Sequence, residues 1–441
     1  MLAAMSSAAL RPSSQATAVS RDRGDACPGT LRLHAADDGA LARVRIPGGV
    51  LTVSQAEVLA DAAERLGDGD VHLTSRGNVQ LRGLADGCGA ALAESLTAAG
   101  LLPSRGHERV RNIVASPLSG LDDHGLLDVR PWLSALDTAL CASEAAQALS
   151  GRFLFALDDG RGDLAALEAD VTVRATADGG AQLALGSAGR ALCISAEDAP
   201  RAALAAAEAF LEAEQAGGTR AWRVAELALA DDELTALAGR RLTAEGIGHE
   251  LRGRESGRAD GPLPGVVGDA LSVHVPLGRF SAPQWRELTR VAVGELRLTP
   301  WRGVVLPTPG TAPAQRTEAL GRLEAVGLVT DPGSPWLRVG ACIGRPGCAK
   351  SLADVRADAT ATLGAVGAVH HRRGLPLYWS GCERRCGHPR GERIDVVAAP
   401  QGGYRLSVAG PGPGPGPGDD GARTVDLDDP SRLAAALAAI T

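Results

Sequence analysis

The sequence predicts an α+β protein made of two pseudo-symmetric halves that face each other across a ligand site. Three observations carry that expectation. The chain repeats its own pattern at about half its length, each copy alternates strand, turn, helix and strand, and two close cysteine pairs occur in the second half only. At 441 residues the chain is long enough for two or three domains with a core of ordinary size.

The repeat is read directly from the residues. "IPGGVLTVSQAEVLADAAERLGDGDVHLTSRGNVQL" (Ile46 to Leu81) matches "VPLGRFSAPQWRELTRVAVGELRLTPWRGVVL" (Val275 to Leu306). Pro47, Gln55 and Leu59 fall opposite Pro276, Gln284 and Leu288, and after a short gap Leu73, Thr74, Val79 and Leu81 fall opposite Leu298, Thr299, Val304 and Leu306. Each copy reads as a strand, a glycine turn, a helix with apolar residues at i, i+3 and i+4, and an alternating strand that turns and continues. Two such halves bury their apolar faces against each other and leave a cleft for a ligand.

Composition narrows the partners. The formal net charge of −7 and pI near 5.8 give no overall basic field for nucleic acid or an anionic membrane. The start, "MLAAMSSAALRPSSQATAVSRDRGDA", lacks the apolar core of a signal peptide or a membrane span. It reads as a disordered lead-in, residues 1–25, to a cytoplasmic protein. Cys27, Cys88, Cys141 and Cys193 are scattered singly and read as small buried hydrophobes. Near the end, "GPGPGPGPGDDG" can form neither helix nor sheet; residues 410–441 are expected to be a linker and a small tail.

The segments after the two copies differ chemically. The first half continues "SRGHERVRNIVASPLSGLDD", rich in arginine and without cysteine. The second continues "PWLRVGACIGRPGCAKSLADVRADATATLGAVG", with Cys342 and Cys348 in a Gly/Pro loop, and later "WSGCERRCGHP", with Cys382 and Cys386. The spacing is C-x5-C, 33 intervening residues, then C-x3-C. Tetrahedral zinc prefers shorter knuckles, whereas a [4Fe–4S] cluster takes four thiolates on glycine-rich loops whose N–H groups face the sulfides. Gly340, Gly344, Gly347, Gly381 and Gly387 supply such backbone, so Cys342, Cys348, Cys382 and Cys386 are the candidate cluster ligands. Lys350, the single lysine of the chain, stands two residues past Cys348.

This constellation, together with the half-chain repeat, resembles the sulfite and nitrite reductase superfamily over about residues 26 to 408. "HLTSRGNVQL" is similar to that family's Thr-x-Arg strand, "RVRNIVAS" to its Arg-Asn segment and "ARVRIPGG" to its opening strand. The resemblance implies a ferredoxin-like repeat at 26–105, a reductase-like α+β domain at 106–260, a second ferredoxin-like repeat at 261–328 and a [4Fe–4S] domain at 329–409. Where sulfite and nitrite reductases carry Lys-x-Lys to hold a small oxyanion, "GRFLFALDDG" offers Arg152, Phe153 and Leu154. The lost cation leaves apolar room, which suits a large macrocycle.

"ACPGTLRLHAADDGALARVRIPGG", "GRFLFALDDGRGDLAALEADVTV", "LRLTPWRGVVLP" and "WSGCERRCGHP" are similar, in that order, to the branch of the superfamily that acts in aerobic cobalamin biosynthesis. That implies O2-dependent hydroxylation of a precorrin at C-20 with γ-lactone formation. The cofactors implied are the [4Fe–4S] cluster and a mononuclear non-haem iron. Electrons are expected from a ferredoxin or an NAD(P)H-dependent reductase, since no dinucleotide fingerprint opens a strand–helix unit. Candidates to clamp the substrate carboxylates are Arg43, Arg45, Arg76, Gln80, Arg111 and Arg152, with Arg82 and Arg109 as further members of the basic set. The spacing of His107, His124, His370, His371 and His388 names no iron ligand, and Asp158 with Asp159 reads as a turn. Two other readings stay open: a siroheme-dependent sulfite or nitrite reductase, and a non-enzymatic iron–sulfur or zinc scaffold.

Overall fold

Short strands, paired turns and capped helices build the first repeat. β1 (His34–Ala36) and β2 (Gly39–Val44) form a hairpin, a 3-10 turn at Pro47–Gly49 redirects the chain, and β3 (Val50–Thr52) leads into α1 (Val53–Leu66). β4 (Val71–Leu73), β5 (Val79–Leu84) and α2 (Gly89–Ala98) complete it. A mixed sheet follows, built from β6 (Ile113–Ala115), β7 (Phe155–Asp158), β8 (Val171–Ala175), β9 (Gly180–Leu185), β10 (Arg190–Ser195) and β11 (Glu250–Gly253). It is backed by α3 (Arg130–Ala142), α4 (Ala199–Gly217) and α5 (Asp231–Ala244).

The second half runs through the same plan. β12 (Gly265–Val267), β13 (Ala270–His274), a 3-10 turn at Pro276–Gly278, β14 (Arg279–Phe280), α6 (Ala282–Val291), β15 (Glu295–Leu298), β16 (Gly303–Pro307) and α7 (Pro313–Ala325) repeat the opening. β17 (Val339–Ala341), α8 (Val355–Val366), β18 (Leu377–Ser380), β19 (Arg393–Ala398), β20 (Tyr404–Ala409), β21 (Thr424–Leu427) and α9 (Leu433–Ile440) close the chain. This computed structural model describes residues 27–218, 220–229, 231–257, 260–366, 374–389, 391–410, 424–427 and 432–440. The expected lead-in 1–25, the His370/His371 pair and residues 411–421 of the Gly/Pro stretch lie outside the described residues.

The α+β, two-half architecture expected from the repeat is the one observed. The sheet of the first repeat runs β1-β2-β5-β4-β14 and that of the second β12-β13-β16-β15-β3. Each repeat therefore lends one short strand to the edge of the other's sheet. β3 pairs with β15 (Leu51 opposite Leu296) and β14 pairs with β4 (Phe280 opposite Val71), both antiparallel. The two large sheets correspond as well. β6, β7 and β8 run parallel, as do β17, β18 and β19, and the later strands in each are antiparallel.

The residues matched in the sequence have a physical reason to match. Gln55 accepts from the Thr52 N–H (3.1 Å) and donates to Ala99 O (3.1 Å); Gln284 accepts from the Ser281 N–H (2.9 Å) and donates to Val326 O (3.0 Å). Each glutamine thus closes the start of one helix and satisfies a carbonyl near the end of the next. The left-handed backbone positions also coincide. Gly48 (φ +61°) and Gly77 (φ +66°) in the first repeat become Leu277 (φ +55°) and Arg302 (φ +58°) in the second. The second half accepts strain of about 1–3 kcal/mol at each non-glycine position.

A single apolar core runs through both repeats, with Leu51, Leu59, Val79 and Leu81 meeting Val273, Leu288, Leu296 and Leu306. Trp285 is fully buried within it and its indole N–H donates to Ala56 O on α1 (2.8 Å). Trp285→Ala should lower the unfolding free energy by about 3–5 kcal/mol through the cavity left between α1 and α6. Trp285→Phe should cost about 1–3 kcal/mol through the unsatisfied carbonyl. Urea unfolding of both variants measures this, and a smaller loss for Ala than for Phe would contradict it.

Candidate functional site

Parallel pairing sets up the cysteine site. β17 and β18 lie side by side with Ala341 opposite Trp379, so the loops that leave their carboxyl ends start at the same sheet edge. Cys342 is the first residue after β17, and Gly381 and Cys382 are the first after β18. The Gly381 N–H points at Cys342 Sγ (3.3 Å), and Leu352, just past Cys348, donates its N–H to Gly381 O (2.8 Å). The Tyr378 hydroxyl donates to Cys386 O (2.6 Å). Glycine is required at 381, where a Cβ would sit 1.7 Å from Ser351 Oγ.

Ionising a thiol there is costly. Burial pushes the Cys342 thiol up, against the Gly381 and Gly344 N–H groups, and the sulfurs of Cys382 and Cys386 push it further. The Cys342 thiolate is thus disfavoured by its buried surroundings and by two neighbouring sulfurs. Among the described residues no three cysteine sulfurs lie within 4.8 Å of one another. Tetrahedral zinc at ~2.3 Å from each sulfur would need them ~3.8 Å apart, closer than any three of them stand. The eight cysteines form no disulfide.

The first half holds the counterpart of this site with different contents. Ser116 N donates to Leu157 O (3.1 Å) as Cys342 N does to Trp379 O (2.9 Å). Asp159 N donates to Ser116 Oγ (3.2 Å) as Gly381 N does to Cys342 Sγ, and Leu126 N donates to Asp159 O (2.7 Å) as Leu352 N does to Gly381 O. Equal intervals along the chain put Asp122 where the second half has Cys348, and Gly160 where it has Cys382. In the first half the Arg161 guanidinium fills this place, bonded to Asp122 (2.7 Å) and Asp159 (2.7 Å). The Asp158–Asp159 turn expected from the sequence is thus one wall of a place filled by the Arg161 ion pairs.

The cysteine loop is latched to the first repeat. Arg82 forms a two-point ion pair with Asp38 (2.7 and 2.8 Å) and donates to Gly347 O (3.1 Å), while Ala349 N donates to Asp37 (2.6 Å). Lys350 and His388 are exposed, and the His388 ring meets Pro389 O. His107 is buried between Ser104 and the Ser143 carbonyl, and His124 stands in solvent.

Of the candidate substrate contacts, some converge and others do not. Arg43 stands opposite Gln80 across β2 and β5 and donates to its Oε1 (3.3 Å). Arg76 donates to Arg152 O (3.0 Å). Its charge is disfavoured by burial and then by neighbouring Arg223, which brings its pKa down to about 10. Arg152 lies over the Trp222 ring (5.3 Å). Arg45 and Arg111 are engaged elsewhere. Arg45, almost fully buried, donates to Arg109 O (3.1 Å) and Gly151 O (3.0 Å); Arg111 pairs through two bonds with Asp137 (2.7 Å each) and donates to Leu101 O (3.1 Å). These two tie segments of the protein together rather than joining the Arg76 group.

Beside that group opens a cavity of about 730 Å³ on the sheet face opposite the helices, within the range of small-molecule sites. Asp158, Asp170, Thr172, Arg174, Arg223 and Arg254 are among its lining residues. Arg223 pairs with Asp170 (2.6 Å), one of the groups whose charge acts on Arg76. Leu154, two residues past Arg152, lies on this face in an apolar cluster with Val114 and Ala156, against which Trp301 of the second repeat packs. Sequence reasoning missed Arg223, Trp222 and Trp301; the signal was an Arg/Trp pairing in a chain with few aromatics.

The comparisons with known proteins agree with this geometry. The model of the nitrite/sulfite reductase ferredoxin-like half domain matches residues 34–99 and again 267–326. The solved structure of the NirA protein of Mycobacterium tuberculosis shares the fold, with a TM-score of 0.64 at 18% identity over 90% of this chain and 79% of that one. Half domains and fold together give the chain the architecture of the nitrite and sulfite reductases. Its sequence resembles the precorrin-3B synthase of Sinorhizobium sp, 27% identical over 92% of this chain and 87% of that protein. It is also similar to the ferredoxin–nitrite reductase of Synechococcus elongatus, 28% identical over 81% and 76% of the two chains.

Asp163 adds a titrating group near the cavity. Burial pushes its carboxyl up to about 7, against the Ser116 hydrogen bond (2.7 Å) and with help from Asp158 and Asp159. An unfolded chain releases this proton near pH 3.9 whereas the folded one keeps it to about 7, so stability should fall as pH rises through that window. Asp163→Asn should flatten the slope of urea stability against pH between about 4 and 7. An unchanged slope would show that Asp163 ionises normally in the fold.

Proposed function

We propose that this chain is an iron–sulfur oxidoreductase that hydroxylates precorrin-3A at C-20, with γ-lactone formation from a ring acetate, as a precorrin-3B synthase. The observation that carries the reading is the shared sheet edge of β17 and β18, which starts the Cys342 and Cys382 loops side by side. Cys342, Cys348, Cys382 and Cys386 would hold a [4Fe–4S] cluster, which supplies electrons one at a time when bound. O2 gives one oxygen atom to the substrate and the other leaves as water, so two electrons from an external donor and two protons enter. The resemblance to a precorrin-3B synthase across most of both chains supports the substrate.

The protein's own residues bind and orient the macrocycle. Arg43, Arg76, Arg152 and Arg223 present guanidinium groups for peripheral carboxylates, and Gln80 steadies Arg43. Buried Leu154 and partly buried Trp301 pack in an apolar cluster that reaches the cavity lining at Ala169. Asp163, its carboxyl pushed up to about 7 by burial, is linked through Ser116 to Asp159, the neighbour of cavity-lining Asp158. A siroheme-dependent nitrite reductase is the second reading, favoured by the similarity to a ferredoxin–nitrite reductase. Leu154, standing where those reductases carry a second lysine, disfavours it, because a small oxyanion is better served by a second cation there.

Anaerobic purification tests the cofactor. A broad brown absorption is expected, in place of the sharp Soret and long-wavelength bands of siroheme, and any single Cys→Ser change among the four should remove most of it. Four serine variants with wild-type iron and sulfide would refute the assignment. Arg76→Ala should weaken precorrin-3A binding about ten- to a hundredfold while iron content is retained, as expected for loss of one charge-assisted contact of about 1.5–3 kcal/mol. Reduction of nitrite or sulfite, with no binding of the macrocycle, would replace this reading by the second one.

A further inference from the structure

The second half places more positive charge beside the cysteine loops than its own carboxylates balance. Arg82 is paired with Asp38 and Arg279 with Asp70. Among the described residues, Arg302 and Arg356 have no carboxylate within ion-pair distance. The Tyr378 hydroxyl, which donates to Cys386 O, lies close enough to feel Arg302, Cys342, Arg356 and Cys386 together. Both guanidinium groups therefore share one neighbourhood with two of the cysteines.

Comparison of the halves shows that this imbalance is specific. Arg130 is the first residue of α3 and Arg356 the second of α8, each two residues after an aspartate. In the first half Arg130 turns outward and pairs with Asp128 (2.6 Å). In the second half Asp354 instead caps Ala357 N (3.1 Å), and Arg356 turns inward to donate from Nε to Cys342 O (3.2 Å). Its Nη1 atom is buried with no hydrogen-bond partner, and it faces the charges of Arg302, Arg279 and Arg82. A guanidinium at a helix N-terminus among other cations is unfavourable on its own. Arg302 occupies a left-handed backbone position that the first repeat gives to Gly77, and it reaches under Gly340, whose Cβ would meet its Nη1 atom at 2.6 Å.

We infer that Arg302 and Arg356 are the counter-charge of the iron–sulfur cluster and set its reduction potential. The inference rests on the cluster reading above. A four-thiolate cluster is anionic and gains one further negative charge when an external donor reduces it by one electron. Two nearby, poorly solvated cations stabilise the reduced form more than the oxidised one and so raise the potential. They are positioning residues for electron transfer, since neither is a ligand.

The test uses the full chain purified without oxygen as wild type, Arg302→Gln, Arg356→Gln, Arg356→Lys and, as a control, Arg286→Gln, whose exposed side chain pairs with Glu64 on the far side of α1. Iron and sulfide are assayed first, and the cluster is then titrated with dithionite against redox mediators by absorption and electron paramagnetic resonance. At a fixed solution potential each glutamine variant should hold about tenfold less reduced cluster than wild type, a shift of about 59 mV downward for a one-electron couple. Arg356→Lys should stay near wild type, as should Arg286→Gln. Unmoved potentials in cluster-loaded glutamine variants would overturn the inference and leave the cluster assignment intact. Cluster loss in both Arg356→Gln and Arg356→Lys would overturn it in favour of packing. If the wild type binds no cluster, the cluster reading itself fails.

Discussion

The strand exchange between the repeats is the constraint on which the rest of the molecule depends. β3 completes the second repeat's sheet and β14 the first's, so neither sheet has its observed edge without the other. The exchange fixes the pseudo-twofold relation, buries Trp285 against α1 and closes a common core. Edge strands left unpaired invite wrong partners, and reciprocal pairing removes that hazard within one chain. The two large sheets then hang from fixed points: the Pro47–Gly49 turn meets β6 and the Pro276–Gly278 turn meets β17.

On this symmetric frame the chemistry is polarised. The same backbone hydrogen bonds that present thiols in the second half present Ser116, Asp122 and Asp159 in the first. An ion network fills that place in the first half, whereas the second half gathers sulfurs there with Arg356 bonded to the Cys342 carbonyl. One fold duplicated gives one cysteine-lined site and one copy filled by an ion network.

Much of this was legible in the sequence, for definite reasons. The repeat could be read because Pro47, Gln55 and Leu59 each do a job that Pro276, Gln284 and Leu288 repeat: starting a turn, capping a helix, filling a core. The cysteine spacing could be read because the parallel strands fix how far apart their loops begin. Arginines were harder. Arg45, Arg76 and Arg111 look alike in sequence, yet Arg45 and Arg111 bind carbonyls and Asp137 while Arg76 joins a group of cations. Which acceptor a guanidinium meets depends on segments far away in the chain, such as Leu101, Asp137 and Gly151, and local pattern carries no record of that. Arg356 escaped notice for the same reason: an Asp-x-Arg helix start has two rotameric outcomes, and the halves take one each.

The latch of the Cys348 loop bears on how the protein matures. Gly347 is held by a residue 265 positions earlier in the chain, and Ala349 by one 312 positions earlier. Contacts of that separation form late, because a long loop must close before they bring any gain. The observed shape of the loop therefore depends on the docked amino-terminal repeat, and the carboxyl-terminal half alone would lack the bonds that hold Gly347 and Ala349. Asp37, Asp38 and Arg82 of the first repeat thus set the point in folding at which the Cys348 loop can be fixed.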